Sequence, residues 1–295
     1  MRRLASDAVL AAAPPTRAIG TCEIPADGPL RVRSGAPRQI ATDTAVRSAV
    51  AATPEAAAFA WPSRRDVHLW TLDLRVSARC AAGLLDGEEI QRARRFVYAQ
   101  DARRYVAAHA GLRRLLGWYL DTAPERLRFA TGAHGKPLLV QQPRADGRPP
   151  LRFNLSHSKD FALVAVAAGF EVGVDIEAVR GDLPGPDLAA GVLSAAEMDE
   201  FEQCPRHDHA ATFVGCWTRK EACLKALGVG LGIEPRALSV GLHPDRQALR
   251  VDGADAPVDI APLPAPPGYC AALAAVGGFD EVVSRETMFP MEETT

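Results

Sequence analysis

The sequence predicts an α+β protein built as a pseudodimer: two similar α/β halves, each a helix packed on a small, mostly antiparallel sheet. Three observations carry this expectation. Two stretches, 85–120 and roughly 208–228, keep the apolar spacing and residue types of long helices. Three apolar runs, "LRFNLSH", "FALVAVAAG" and "EVGVDIEAV", follow one another across connections short enough for hairpins. Finally, a shift of 111 residues (115 onto 226) sets "LLGWYLDTAPERLRF" over "ALGVGLGIEPRALSV" without a gap. Leu116, Gly117, Leu120, Pro124 and Leu127 then meet Leu227, Gly228, Leu231, Pro235 and Leu238. Both blocks read as helix end, glycine, turn, proline, strand, so the order of elements repeats along with the residues.

Taken in order, residues 1–60 are rich in Ala, Pro, Arg and Thr with little periodicity, which predicts a disordered leader. "DVHLWTLDLRV" (66–76) alternates as a strand should. The stretch 85–120 is expected as two helices, and "PERLRFATG" turns extended again around Leu127 and Phe129. "QQPRADGRPP" (141–150) is a loop by composition. The three apolar runs are expected as an antiparallel meander, followed by the helix containing "ATFVGCWTRKEACLKAL". "RALSVGL" and "GYCAALAAVGG" supply later strands, and the last dozen residues form a loose tail. The expected organisation is a leader (1–60), a first half (61–160), a second half carrying the chemistry (161–282) and a tail (283–295).

Composition narrows the function classes. Thirty-four basic against 36 acidic residues leave a net charge of -2, so no global basic field points to nucleic acid. Arginines do crowd one segment (Arg92, Arg94, Arg95, Arg103, Arg104, Arg113, Arg114), where a solvated helix face is the plain alternative to a binding role. Six cysteines form no CxxC pair, which argues against zinc and against a disulfide scaffold. Reduced, buried thiols in the cytoplasm are expected, with Cys216 and Cys223 sharing a helix face. No apolar run is long enough to span a bilayer, and Ser6 and Asp7 interrupt the weak apolar stretch near the start, so neither membrane insertion nor export is expected.

The chemistry-bearing residues gather around the meander. Its first and third strands would flank the second and run parallel, so "SHS" and "DIE" would end at one sheet edge, ~10 Å apart. That gap suits a nucleotide with its pyrophosphate. In "GVDIE", Asp175 and Glu177 are two apart and face one side, their charges separated by ~6–7 Å. Such a pair repels unless a cation lies between them, and all-oxygen ligands favour Mg²⁺, with Mn²⁺ a substitute. A solvated strand end is the plain reading of D-x-E alone. In "WTRKEACLK", Glu221 and Lys225 project from one helix face a turn apart. With Lys220 they could add a ligand and phosphate contacts, or be an ordinary ion pair. Thr218-x-x-Glu221 also fits a capping box, but Phe213, Val214 and Trp217 indicate that the helix begins earlier. His157 alone is more often a packed histidine than a ligand, and "HGKPLL" (134–139) alone is a glycine-proline turn entering a strand.

Read together, "HGKPLL", "FNLSHS", "GVDIE", "WTRKEACLK" and "RRFVYAQDARR" (94–104) resemble the Sfp-type 4′-phosphopantetheinyl transferases, over roughly residues 61–280. The resemblance implies that family's pseudodimeric fold, with coenzyme A in the cleft between halves, and a monomer. The implied reaction is Mg²⁺-dependent transfer of 4′-phosphopantetheine from coenzyme A to a serine of an apo carrier protein, acyl or peptidyl. The other product is adenosine 3′,5′-bisphosphate.

Position by position, the resemblance implies that Asp175, Glu177 and Glu221 hold the metal. Glu221, or a water it orients, would take the serine proton, and Lys225 and Lys220 would neutralise the pyrophosphate. His157, Arg104 and Arg92 would meet the 3′-phosphate. Gly135, Lys136 and Pro137 would line the nucleotide, and Asn154 and Ser156 would hydrogen-bond it. One departure stands out: three residues before Arg92, where some members carry a lysine, this chain has Glu89. Two other functions use the same residues: a metal-dependent phosphohydrolase, and a non-catalytic coenzyme A- or carrier-binding module. Intact Asp175, Glu177, Glu221 and Lys225 argue against the binder, and the lack of another catalytic base argues against the hydrolase.

Overall fold

The computed structural model describes residues 47–48, 60–75, 81–132, 134–141, 146–179, 185–243 and 245–286. Eleven strands and five α-helices lie among them. In chain order they are β1 (Arg47–Ser48), β2 (Val67–Asp73), α1 (Gly87–Ala93), α2 (Ala99–Leu120), β3 (Phe129–Thr131) and β4 (Pro137–Leu139). Then come β5 (Leu151–Ser158), β6 (Phe161–Ala168), β7 (Val172–Ala178), α3 (Pro186–Val192) and α4 (Ala195–Gln203). The last are α5 (His209–Leu227), β8 (Gln247–Leu249), β9 (Val258–Leu263), β10 (Tyr269–Val276) and β11 (Val282–Glu286). The fold is α+β with two similar halves: one sheet ordered β1-β11-β2-β6-β5, the other β7-β10-β9-β8, and a small β3-β4 hairpin.

Three apolar layers hold it together. Trp70, Leu72, Val164 and Phe153 pack the first sheet under Leu112, Leu115 and Leu116 of α2. Leu69, Leu163 and Ala165 meet Val174, Ile176 and Leu273 between the two sheets. Ala272, Ala274 and Ile260 pack the second sheet under Cys216, Ala222 and Cys223 of α5. The two thiols share a helix face as expected. A strand covered on both sides has no solvent face, which is why β6 is buried from Ala162 to Ala168 and reads as one unbroken apolar run.

Several expectations are corrected here. β7 does not pair with β6 as the third strand of a meander; it pairs antiparallel with β10, in the other sheet. β6 pairs with β2 and β5, so the chain changes sheets at 169–171, after β6 and not at residue 160. Residues 283–286 are not tail: β11 returns to the first sheet and runs parallel to β2. The expected leader falls outside the described residues except for Ala60 and for Arg47–Ser48, which pair parallel with β11 and cover that sheet edge. "RALSVGL" is a 3-10 turn and irregular chain instead of a strand, because the amides of Val240 and Gly241 donate to Glu197 Oε1.

The internal repeat is real but uneven. Both 3-10 turns fall 111 residues apart (Pro124–Arg126 and Pro235–Ala237), yet α2 runs on to Leu120 whereas α5 stops at Leu227. Gly117 therefore lies inside its helix, while its counterpart Gly228 is a left-handed C-cap. The same buried knot secures each turn. Arg113, fully buried, donates to the carbonyls of Pro124 and Leu127 and to Glu89 (2.7 Å) and Asp86 (2.5 Å). Lys220, fully buried, donates to the carbonyls of Pro235 and Leu238 and to Glu197 (2.5 Å). Glu89 and Glu197 each close a capping box from the third helical position, on α1 and α4. Glu89, the departure noted in the sequence, is thus a structural carboxylate.

The second knot is nearly complete in hydrogen bonds: Glu197 also accepts from the amides of Ser194, Val240 and Gly241. Burial would raise its pKa, but Lys220 and these amides outweigh burial and hold it below the usual range. Its contribution to stability is therefore present above the unfolded pKa and lost as pH falls through the folded one. Lys220→Met should cost ~3–5 kcal/mol at neutral pH by stranding a buried carboxylate. Urea unfolding measures this, and a wild-type midpoint would contradict it. The second sheet has a similar pressure point. A Cβ on Gly173 of β7 would lie 2.1 Å from Ala222 O and 2.3 Å from Ala226 N of α5. Gly173→Ala should push the helix off the strand and cost ~3 kcal/mol or more, read as a fall in melting temperature.

Candidate functional site

The close approach at Gly173 sets the site. Gly173, Asp175 and Glu177 alternate onto the α5 side of β7, and the helix backbone resting on Gly173 carries Glu221 and Lys225 down beside the two carboxylates. Lys225 Nζ donates to Asp175 Oδ1 at 2.5 Å and to Ser156 Oγ at 3.1 Å. Asp175 is fully buried, and its other oxygen, Oδ2, has no hydrogen-bond partner.

On its far side β7 lies against β5. The two strands run parallel and are joined through side chains. Asn154 Oδ1, Ser156 Oγ and Ser158 Oγ accept from the amides of Val174 (2.9 Å), Ile176 (3.4 Å) and Ala178 (3.1 Å). "SHS" and "DIE" therefore end side by side rather than two strands apart. This seam also gives Asn154 and Ser156 occupations other than the expected nucleotide contacts. Ser156 Oγ donates to Asp175 Oδ1 (2.7 Å), and Ser158 Oγ donates to Glu177 Oε2 (2.8 Å).

Electrostatically the pocket holds three carboxylates against one ammonium. Burial first, then the charge of Asp175, raises Glu177 to about 8. Burial raises Glu221 to about 7, with Lys225 pulling it down and Asp175 pushing it up. Burial opposes the charge on Lys225, but Asp175 and Glu221 outweigh it and raise its pKa. An unpartnered buried oxygen beside two carboxyls that resist ionising is a donor set short of positive charge, and it suits a hard cation. Among the described residues, no three carboxylate, histidine or cysteine groups are already gathered to hold a metal ion.

A second cluster lies on the α2 side of β5. His157 is driven down to about 3 by burial, then by His109, Lys225, Arg92 and Arg104. The expected cations are thus brought within electrostatic reach of one histidine. Arg104 pairs with Asp160 (2.6 Å) and lies 3.4 Å from Asp101, while Arg92 is exposed over the Tyr105 ring.

Two expected residues sit elsewhere. Lys220 points away from the pocket into the Glu197 knot, so it has no path to a phosphate. Lys136 Nζ donates to Glu171 (2.7 Å) and to the Val172 carbonyl (3.0 Å), ~16 Å along β7 from Glu177. Gly135, in a left-handed conformation, turns the chain into β4, which begins at Pro137. Gly173 has no role in the sequence reading, and Ser158 stands there only as part of the polar end of "FNLSHS", although each lies two residues from an assigned position.

The comparisons agree with this division. The family model described as "4′-phosphopantetheinyl transferase superfamily" matches residues 171–273, and "4′-phosphopantetheinyl transferase, N-terminal" matches 74–169. They meet where the chain changes sheets. The 4′-phosphopantetheinyl transferase HetI of Nostoc sp. is 32% identical over 72% of this chain and 89% of its own. Sfp of Bacillus subtilis is 26% identical over 64% of this chain and 80% of its own. The human L-aminoadipate-semialdehyde dehydrogenase-phosphopantetheinyl transferase is 31% identical over 53% of this chain and 52% of its own. Neither the phosphohydrolase nor the non-catalytic binder finds support among these relatives. The chain belongs to the 4′-phosphopantetheinyl transferase superfamily, coenzyme A-dependent enzymes that move phosphopantetheine onto carrier proteins.

Proposed function

We propose that Asp175, Glu177 and Glu221 bind a divalent cation, Mg²⁺ or Mn²⁺, next to the pyrophosphate of coenzyme A. When bound, such an ion neutralises charge on the phosphates. The single observation behind this is the buried Asp175 carboxylate, one oxygen held by Lys225 and Ser156 and the other left without a partner. The carrier serine oxygen forms a new bond to the phosphorus that bears pantetheine. The bond from that phosphorus to the leaving adenosine 3′,5′-bisphosphate breaks, and the serine proton passes to Glu221 or to a water it orients. Lys225 faces the pyrophosphate charge as it moves onto the leaving group.

His157, Arg104 and Arg92 receive the 3′-phosphate, a role consistent with the cationic surroundings that depress the histidine. The turn at Gly135 and Pro137 contributes its backbone to the nucleotide, since Lys136 Nζ is committed to Glu171 and Val172. The partner is an apo acyl or peptidyl carrier, and the enzyme acts as a cytoplasmic monomer. Among the described residues no helix is long and apolar enough to cross a membrane.

Chelation should stop transfer, and Mg²⁺ or Mn²⁺ should restore it, as followed by intact-protein mass spectrometry of an apo carrier. Glu221→Gln should lower single-turnover transfer by ~10²-fold or more while calorimetric coenzyme A binding persists. Lys225→Ala should lower kcat more than it weakens coenzyme A binding. Near-normal transfer in both variants would reduce the pair to an ordinary ion pair and refute the assignment.

A further inference from the structure

We propose that Ser158 is a positioning residue that aims the Glu177 carboxylate into the site, the upper of two matched serine rungs between β5 and β7. The rungs have one design. Ser156 Oγ accepts the Ile176 amide and donates to Asp175 Oδ1; Ser158 Oγ accepts the Ala178 amide and donates to Glu177 Oε2. A hydroxyl has one proton, so a serine whose acceptor side holds a backbone amide can send that proton to the carboxylate. Each rung thus ties a strand position and an acid together with one atom.

The third rung provides an internal control. Asn154 Oδ1 accepts the Val174 amide, and the neighbouring helix-facing residue there is Gly173, with no carboxylate to hold. An amide oxygen, which only accepts, suffices at that rung. Serine appears at the two rungs where an acid directly precedes the bonded amide, Asp175 before Ile176 and Glu177 before Ala178. Glu177 needs such a restraint more than Asp175 does. Asp175 is fully buried and also gripped by Lys225, whereas Glu177 is only partly buried and is repelled by Asp175. Among the described residues the hydrogen bond to the Glu177 carboxylate comes from Ser158, and Lys225 adds only a through-space attraction that does not fix its direction.

This inference rests on the reading of Glu177 as a cation ligand, and the experiment separates the two. Mn²⁺ binding to the enzyme saturated with coenzyme A is measured by electron paramagnetic resonance for wild type, Ser158→Ala, Ser158→Thr and Glu177→Gln. Coenzyme A affinity and melting temperature are recorded in parallel. Ser158→Ala should weaken Mn²⁺ binding about tenfold or more, as loss of an outer-sphere partner does, with coenzyme A affinity within about twofold. Ser158→Thr, which keeps the hydroxyl, should recover most of the loss. If the alanine variant disturbs the seam, Ser158→Cys keeps the volume with a weaker donor and should fall between wild type and the acid variant. Wild-type Mn²⁺ binding in Ser158→Ala, with Glu177→Gln impaired, overturns the positioning role alone. Wild-type binding in Glu177→Gln overturns the ligand reading and the positioning role with it.

Discussion

The structure depends on how two sheet edges are closed against each other without a backbone ladder. β5 ends one sheet and β7 begins the other, and the amides of Val174, Ile176 and Ala178 need acceptors at that edge. Leaving one buried and unpaired costs ~1–3 kcal/mol. Three polar side chains on alternate positions of β5 supply the acceptors, while Leu151 and Phe153 on the other face pack under α2. This is why "FNLSHS" reads as a strand with polar groups at every second place. The same alternation on β7 turns Ile176 into the layer between sheets and Asp175 and Glu177 toward α5. The requirement to close the seam and the placement of the acids are one constraint.

The two halves share a scaffold, and the row of residues under each long helix separates them chemically. β2 pairs with β6 as β7 pairs with β10, and both long helices are fixed to a 3-10 turn by a buried cation. Under α5 the helix-facing row is Gly173, Asp175 and Glu177. Under α2 it is His68, Trp70 and Leu72, packed in the core, with His68 and Trp70 both bonded to the Tyr119 hydroxyl. Burial drives His68 down to about 4, so it stays neutral inside the protein. A row of bulky buried residues lets α2 rest on side chains. A glycine lets α5 rest on backbone, which lowers Glu221 and Lys225 to the acids. The duplication therefore yields one acidic site rather than two.

Much of this was legible in the sequence, and what was not has identifiable causes. Periodicity locates α2, α5 and β5 to β7, and the D-x-E spacing places Asp175 and Glu177 on one face. The partner of β7 is not encoded locally, because a continuous apolar run fits beside β6 or beside β10 equally well. β11 looks like tail because its strand is short and its partner, β2, is more than two hundred residues earlier. Lys220 is different. At 3.6 residues per turn it lies ~140° around the helix from Lys225, whereas Glu221 lies ~40° away, so the helical period alone separates the two lysines. The roles of Ser158 and Gly173 emerge only once β5, β7 and α5 are brought together.

The most direct test of the seam is amide hydrogen exchange at Val174, Ile176 and Ala178, followed residue by residue in wild type and in Asn154→Ala. Side-chain rungs buried between two sheets should protect all three amides nearly as strongly as the amides of β10, and Asn154→Ala should release Val174 first. Exchange of these amides in the wild type at rates typical of an open sheet edge would contradict the account, since the acids would then be aimed by something other than the join between the halves.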